Sequence, residues 1–459
     1  MRAWPFLLWK NLRTAALLCL PSAALVTVAT TRAQSPEPQG PARATVQLDA
    51  ASRAEVAEKF ARALASEYVY ADQGAKMAAA IRAKVNVKAY DSITSPSEFA
   101  NALERDARAV VDDRHLEVDF SSEPALMPQG GPSREMMAEM RQQHAGIPQV
   151  KILDGNIGYI VANGMLPDSL AKDPIAAAFA FLRDTDALIL DLRGNPGGSG
   201  SIDLYMSYLS TSTPHLLHSV HWRNGRVAET KTMDLGVLSY GAKKSVFLLT
   251  SHRTFSAAEA FAYDFQSCKR GMIVGETTGG GANPSALGGM APLGHGFFAN
   301  IPAGYVVNAV TGGNWEGVGV KPDIKVPADE ALAKAWSLAL VRLSANATDP
   351  QTRTFFEALS SAKLDGEPTL SSAQLVGQYA AKSGDPTMLI TQNDGKLYGH
   401  ESYADGEVAD IAFRSLGGDR YAPVGFPDGF SLTFAQRDGK VELVQVRPPP
   451  MDSSLLQKQ

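Results

Sequence analysis

Ala187-Leu188-Ile189-Leu190-Asp191-Leu192-Arg193-Gly194-Asn195-Pro196-Gly197-Gly198-Ser199-Gly200 is an apolar run that breaks into a polar, glycine-dense loop. An unbroken apolar run of this length reads as a strand buried on both faces, the signature of a parallel sheet. Such a loop lies at the carboxyl edge of the sheet, where open α/β folds bind ligands. The Lys-Ser/Thr ending of a phosphate loop is absent, so a nucleotide site is a poor match. Working outward, Ile157–Ala162 reads as a strand and Ser169–Arg183 as a helix. Val246–Thr250 and Met272–Gly275 read as strands flanking a helix over Ala257–Ser267. Strands alternating with helices predict an α/β region, placed at 149–345 and closed by an amphipathic helix over Asp329–Leu343.

The flanks differ in kind. Val56, Phe60, Leu64 and Tyr68 recur at helical spacing, and Ser95-Pro96-Ser97-Glu98 opens a helix carrying Phe99, Leu103 and Ala107. A helical N-terminal domain is expected over 49–121, then a linker or flap over 122–148. Beyond a connector at 346–369, short alternating runs are split by Asn393-Asp394-Gly395, Ala404-Asp405-Gly406, Gly417-Gly418-Asp419 and Arg437-Asp438-Gly439. Asp-Gly between alternating segments is a hairpin signal, so 370–450 reads as a small antiparallel β domain, a barrel or a sandwich.

The 459 residues are 45% hydrophobic and 20% charged, with a net charge of −5. That composition supports packed cores and argues against a nucleic-acid partner, which calls for a basic stripe. Arg2, Lys10 and Arg13, the apolar stretch Ala15–Ala29 and Thr31-Arg32-Ala33 have the order of a secretory signal peptide over 1–33, with a linker over 34–48. The stretch is shorter than the roughly 20 residues a spanning helix needs, so no stable membrane insertion is expected after cleavage. Loss of Arg2, Lys10, Arg13 and Arg32 takes the charge from −5 to −9. The expected location is periplasmic or secreted. Cys19 and Cys268 are the two cysteines, which excludes a disulfide scaffold.

A second segment, Thr250-Ser251-His252-Arg253-Thr254-Phe255-Ser256-Ala257-Ala258-Glu259, again runs from a strand into a helix. Ser256 with Glu259 is a capping-box pair. The same position puts a serine hydroxyl where backbone N–H groups and the helix dipole stabilise developing negative charge.

Taken together, the Asp191–Gly198 loop, Thr254–Glu259, Val274-Gly275-Glu276-Thr277-Thr278-Gly279-Gly280 and Trp315-Glu316-Gly317-Val318-Gly319-Val320-Lys321-Pro322-Asp323 resemble the tail-specific (C-terminal-processing) serine peptidases over Thr45–Pro327. The resemblance implies a crotonase-like ββα core and Ser256 as nucleophile. It implies a peptide or protein substrate and no cofactor. In the processing branch a lysine follows the Thr-x-Gly motif; here that stretch is Gly279-Gly280-Gly281-Ala282-Asn283, and no PDZ domain fits before Ile157. The chain is more similar to the branch of the tricorn protease core and the interphotoreceptor retinoid-binding protein modules. That branch implies His115, in Asp113-Arg114-His115, as base and Glu316 as orienting acid.

His252, close to Ser256 in sequence, is the competing base. Arg114 stands where the tricorn core has a small hydroxyl residue, so Glu316 pairs either with Arg114 or with His115. The oxyanion is assigned to the Ala257 N–H with Gly197 or Gly198. His215, His218 and His221 recur every three residues, but a strand would splay them to opposite faces, and no metal site is assigned. The alternative to an exported serine endopeptidase is a non-catalytic binder of peptides or hydrophobic ligands, as retinoid-binding modules imply.

Overall fold

The computed structural model describes residues 48–121, 134–211, 213–285, 290–364, 366–384, 387–402, 408–426, 429–447 and 453–459. The proposed signal peptide, most of the 34–48 linker, the first part of the 122–148 flap and the Ala404-Asp405-Gly406 turn lie outside them. Two compact units are present, Val46–Phe356 and a second that contains Glu357–Gln459.

In the first unit, helices α1 (Ala50–Glu67), α2 (Ala71–Asn86) and α3 (Pro96–Arg108) come first. Asp49 caps α1 by accepting the Ser52 N–H at 2.7 Å, and Ser95 caps α3 ahead of Pro96. The buried Arg53 guanidinium ties α1 to the α2–α3 connection through the carbonyls of Leu48, Asp91 and Ile93. Strand β1 (Glu117–Phe120) and helix α4 (Arg134–Gln142) follow.

The α/β region then builds a six-stranded sheet from β2 (Gln149–Leu153), β3 (Ile157–Val161), β4 (Ala187–Asp191), and later strands. Helix α5 (Asp168–Phe181) joins β3 to β4, and α6 (Ile202–Leu209) follows β4. A hairpin, β5 (Leu216–Trp222) and β6 (Val227–Lys231), precedes β7 (Ser245–Thr250), α7 (Ala257–Ser267) and β8 (Met272–Gly275). Strands β9 (Ala291–Gly294), β10 (Phe297–Asn300), β11 (Gly304–Asn308) and β12 (Ile324–Lys325) complete the region before α8 (Ala331–Asn346) and α9 (Pro350–Ser360).

The sheet order is β12-β8-β7-β4-β3-β2, parallel except for β2 against β3. Val161 pairs with Asp191, Asp191 with Leu249, and Leu249 with Val274. The carboxyl ends of β3, β4, β7 and β8 are therefore level, and the loops leaving them meet at one edge. All five residues of β4 are buried, as its unbroken apolar run predicts.

Periodicity did not reveal how the N-terminal helices are finished. Strand β1 pairs with β10, which pairs with β9, so a hairpin from beyond β8 returns to the helices. Leu293, Phe297, Ala299 and Ile301 pack in one cluster with Phe60, Leu64, Phe99 and Leu103. The hairpin's four-residue strands are too short to show a pattern of their own.

The second unit is a closed eight-stranded antiparallel barrel, β13 (Gly377–Ala380) through β20 (Ser454–Lys458), preceded by a short helix α10 (Ser372–Leu375). Strand β13 pairs with both β14 (Thr387–Asn393) and β20, leaving no edge. Asp394 and Gly395 take φ of 46° and 74°, and Asp438 and Gly439 take 51° and 76°. These are the positive-φ pairs of two-residue hairpin turns. Tyr379, Ile390, Phe434 and Leu443 fill the interior. The barrel ends later than the sequence-based boundary at 450.

Phe297 is fully buried, edge-on to Phe99 at 5.6 Å between centroids and 5.0 Å from Phe120. Phe297→Ala is expected to destabilise the first unit by about 3–5 kcal/mol in denaturant melts. A loss below about 1 kcal/mol, the level of an ordinary surface change, would mean that the hairpin is not part of that core.

Candidate active site

The Asp-Leu-Arg-Gly-Asn-Pro-Gly-Gly loop divides its labour. Asp191 and Arg193 are structural: the guanidinium meets the carboxylate at 2.9 Å (Nε–Oδ1) and 2.6 Å (Nη2–Oδ2), and Tyr159 donates to Asp191 at 2.7 Å. Asn195 is fully buried. Its side chain donates to the Ala162 carbonyl and accepts the Gly197 N–H, both at 2.9 Å, while its own carbonyl accepts the Phe255 N–H at 3.0 Å. The loop is thus fixed to β3 on one side and to the β7–α7 turn on the other.

That turn carries Ser256. Ser251 Oγ donates to the Arg193 carbonyl and Thr254 Oγ1 to that of Leu192, at 2.6 and 2.7 Å. Ser256 then takes φ 53°, ψ −121°, a region sparsely populated by residues with a side chain and costing on the order of 1–3 kcal/mol. A Cβ on Gly197 would lie 2.7 Å from Ser256 Cβ and 3.0 Å from the Ala257 nitrogen, so only glycine allows this approach. The Gly197 N–H is already held by Asn195. Those of Gly198 and Ala257 have no partner among the described residues.

Glu259 is fully buried, one turn into α7. Oε2 accepts the N–H of Ser256 at 3.0 Å and of Gly281 at 2.8 Å. Oε1 accepts the Gly280 N–H at 2.6 Å and the Thr278 hydroxyl. Burial pushes this carboxyl above its ordinary value, and the four hydrogen bonds oppose the shift. In the sequence alone Glu259 reads only as a capping partner. Its second set of contacts joins residues 19 to 22 positions away, which no local pattern announces.

His115 Nε2 lies 2.9 Å from Ser256 Oγ. The histidine precedes β1, with its N–H donating to Asp113 Oδ1 at 3.0 Å and its carbonyl accepting from Asn300 Nδ2 at 2.8 Å. Buried Asp113 is held in turn by Tyr68 Oη at 3.0 Å and Asn283 Nδ2 at 2.9 Å. The imidazole lies against the Phe255 ring, tilted by 34° with centroids 4.6 Å apart. Burial lowers its pKa and the Asp113 carboxylate partly opposes this.

Glu316 belongs to the same region but makes no hydrogen bond to His115 or Arg114 among the described residues. Its Oε2 accepts the Ala282 N–H at 2.5 Å. Oε1 of Glu316 and Nδ1 of His115 are both buried without a partner. The Arg114 guanidinium donates instead to the Gly279 carbonyl. His252 is outside hydrogen-bond contact with Ser256: it is exposed and its Nδ1 lies 3.0 Å from Glu276. Of the three spaced histidines, His218 is buried against Asp264 at 2.7 Å, and His221 stacks on Tyr305. His215 sits near Cys268.

Residues 156–326 match the profile described as "Peptidase family S41", and residues 42–149 match that of the N-terminal domain of this peptidase in eukaryotic IRBP. Among solved structures the chain is similar to a candidate peptidase from Parabacteroides merdae, at 17% identity and TM-score 0.47, covering 65% of this chain and 99% of that one. The photosystem II D1 C-terminal processing protease is similar at 13% identity and TM-score 0.39, covering 61% and 94%. The tricorn protease is similar at 19% identity and TM-score 0.27, covering 50% and 18%.

Two outcomes follow from the geometry. A Cβ on Gly281 would meet the Phe255 ring at 2.4 Å and His115 Cε1 at 2.7 Å. Gly281→Ala should leave the fold intact by circular dichroism and cut labelling of Ser256 by a fluorophosphonate by about tenfold or more, through misplacement of the imidazole. Unchanged labelling would show that the ring does not depend on this contact.

Glu316 is pushed up to about 7, first by burial and then by Asp113. Its folded value exceeds its ordinary 4.5. Its contribution to stability is therefore complete below about pH 4.5 and lost as the pH rises through about 7. Glu316→Gln, always neutral, should flatten that fall and gain on the native protein above about pH 7. Melts at acid and alkaline pH check the sign; parallel curves would refute it.

Proposed function

Residues 42–326 belong to peptidase family S41, and from that premise we propose that the protein is an exported serine endopeptidase acting through an acyl-enzyme. The observation that carries this reading is the 2.9 Å contact between His115 Nε2 and a strained Ser256 at the head of α7.

In the first step Ser256 Oγ attacks the scissile carbonyl carbon while His115 Nε2 takes the hydroxyl proton. The carbonyl oxygen becomes an oxyanion held by the Ala257 and Gly198 N–H groups, since Asn195 occupies that of Gly197. Such donors are worth roughly 3–4 kcal/mol each when aimed at the developing charge. Collapse of the intermediate breaks the C–N bond, and the imidazolium returns its proton to the leaving amine. Water then attacks the ester with the same histidine as base, releasing the acid and restoring Ser256.

The low pKa of His115 keeps it neutral, and therefore able to accept a proton, to lower pH than an ordinary histidine. Asp113 orients it through the backbone. Glu316 is assigned the supporting acid, because the Gly281–Asn283 segment touches the imidazole at one end and holds Glu316 and Asp113 beyond it. Substrates are peptides or protein chains. Secretion into the periplasm or medium is proposed from the 1–33 pattern. No helix among the described residues is long and apolar enough to cross a membrane.

On one peptide substrate, His115→Ala and Ser256→Ala should each lower kcat by on the order of 10³-fold or more, as members of one unit. Glu316→Gln should cost less, and His252→Ala should retain turnover. The acid limb of kcat/KM should lie below about pH 6.5, the ordinary histidine value. Abolished turnover in His252→Ala with activity retained in His115→Ala would reverse the assignment of the base.

A further inference from the structure

Beside the Ser256–His115 pair lies a cleft of about 480 Å³ lined by Arg108, Arg114, Arg253, His252, Phe255 and Gly279 among others. It is shallow and open to solvent. Its charge is opposite to that of the chain, which carries −5 overall. Arg108 is neutralised by Glu104 and Asp112, each at 3.2 Å, and His252 is engaged by Glu276. Arg114 donates to a carbonyl, not to a carboxylate. Arg253 makes no ion pair or side-chain hydrogen bond among the described residues. Two guanidinium charges thus face the cleft without an acid to meet them.

We propose that this cleft is a specificity subsite for an aspartate or glutamate side chain of the substrate; the proposal rests on the peptidase reading of Ser256. A guanidinium fork is matched to a carboxylate by charge and by two parallel hydrogen bonds. Phe255 supplies an apolar wall for the methylene groups while its ring lies against His115. Arg253 precedes Ser256 by three residues, so their Cα atoms are at most about 11 Å apart. An extended substrate advances about 3.3–3.6 Å per residue. With the length of the arginine side chain added, the recognised acid is within about five residues of the scissile bond.

The test uses peptides blocked at both termini, identical except for Glu, Gln or Lys at each of those positions in turn. At one position kcat/KM should favour Glu by about tenfold or more, the scale of one charge-assisted hydrogen bond. The ratio should shrink with added salt, collapse towards one in Arg253→Gln, and turn in favour of Lys in Arg253→Glu. Each ratio is taken within one variant, so a change in overall folding cancels.

A ratio near one at every position, a ratio that survives Arg253→Gln combined with Arg114→Gln, or a preference seen only for a free terminal carboxylate would overturn the proposal. Binding of the same blocked peptides to Ser256→Ala, followed by fluorescence anisotropy, separates the two readings. Selective binding of the Glu peptide without cleavage by the native protein would keep the subsite and reject the peptidase. Cleavage without selectivity would do the reverse, and equal binding of both peptides would reject the subsite.

Discussion

The carboxylate of Glu259 is the point on which the site turns. One side chain accepts four hydrogen bonds, from the Ser256 and Gly280–Gly281 backbone and from Thr278. A carboxylate buried without partners would cost several kcal/mol; one with every acceptor position used becomes a rigid joint. It joins the two halves of the candidate site. The Ser256 N–H is fixed at the strained turn, and the Gly279–Asn283 strap is held against the His115 ring. Trp315 and Gly317 bind the same strap at Gly281 and Gly280, by 2.8 and 3.0 Å bonds, which brings Glu316 into place.

A second joint sets the other side of the imidazole. Asp113 gathers Tyr68 from the end of α1, Asn283 from the strap and the His115 N–H. The helices before β1 therefore do more than pack. They deliver His115, while the β9–β10 hairpin closes their core and supplies Asn300 to the His115 carbonyl. His115 and Ser256 are 141 residues apart in sequence, and this exchange of segments brings them to their 2.9 Å contact. That explains why Val46–Phe356 forms one compact unit.

The parts of this arrangement legible in the sequence are those written in local pattern. The apolar run of β4 announced a buried parallel strand. The Asn-Asp-Gly and Arg-Asp-Gly turns announced hairpins, which the barrel uses at Asp394–Gly395 and Asp438–Gly439. Ser256 and His115 were reached through motif resemblance and not through spacing. What stayed hidden depends on contacts distant in the chain. The closure of β13 onto β20, the return of β10 to β1 and the double role of Glu259 are each decided by where other segments lie. Likewise, Gly197 and Gly198 look alike as adjacent glycines, and they differ in that the Asn195 side chain accepts the Gly197 N–H.

Asn195 also shows how strain and preorganisation arise from the same source. A serine at φ 53° persists only where its surroundings over-determine it. Here the Phe255 N–H is bound by the Asn195 carbonyl, the Ser256 N–H by Glu259, and the Ser256 carbonyl by the N–H groups of Glu259 and Ala260 at 2.9 and 3.0 Å. With the backbone polar groups around Ser256 committed in this way, the Oγ meets His115, and the next N–H, that of Ala257, has no partner among the described residues. Among the described residues, the Ala257 N–H at the helix end and the Gly198 N–H in the loop after β4 are left open, on the two segments that Asn195 ties together.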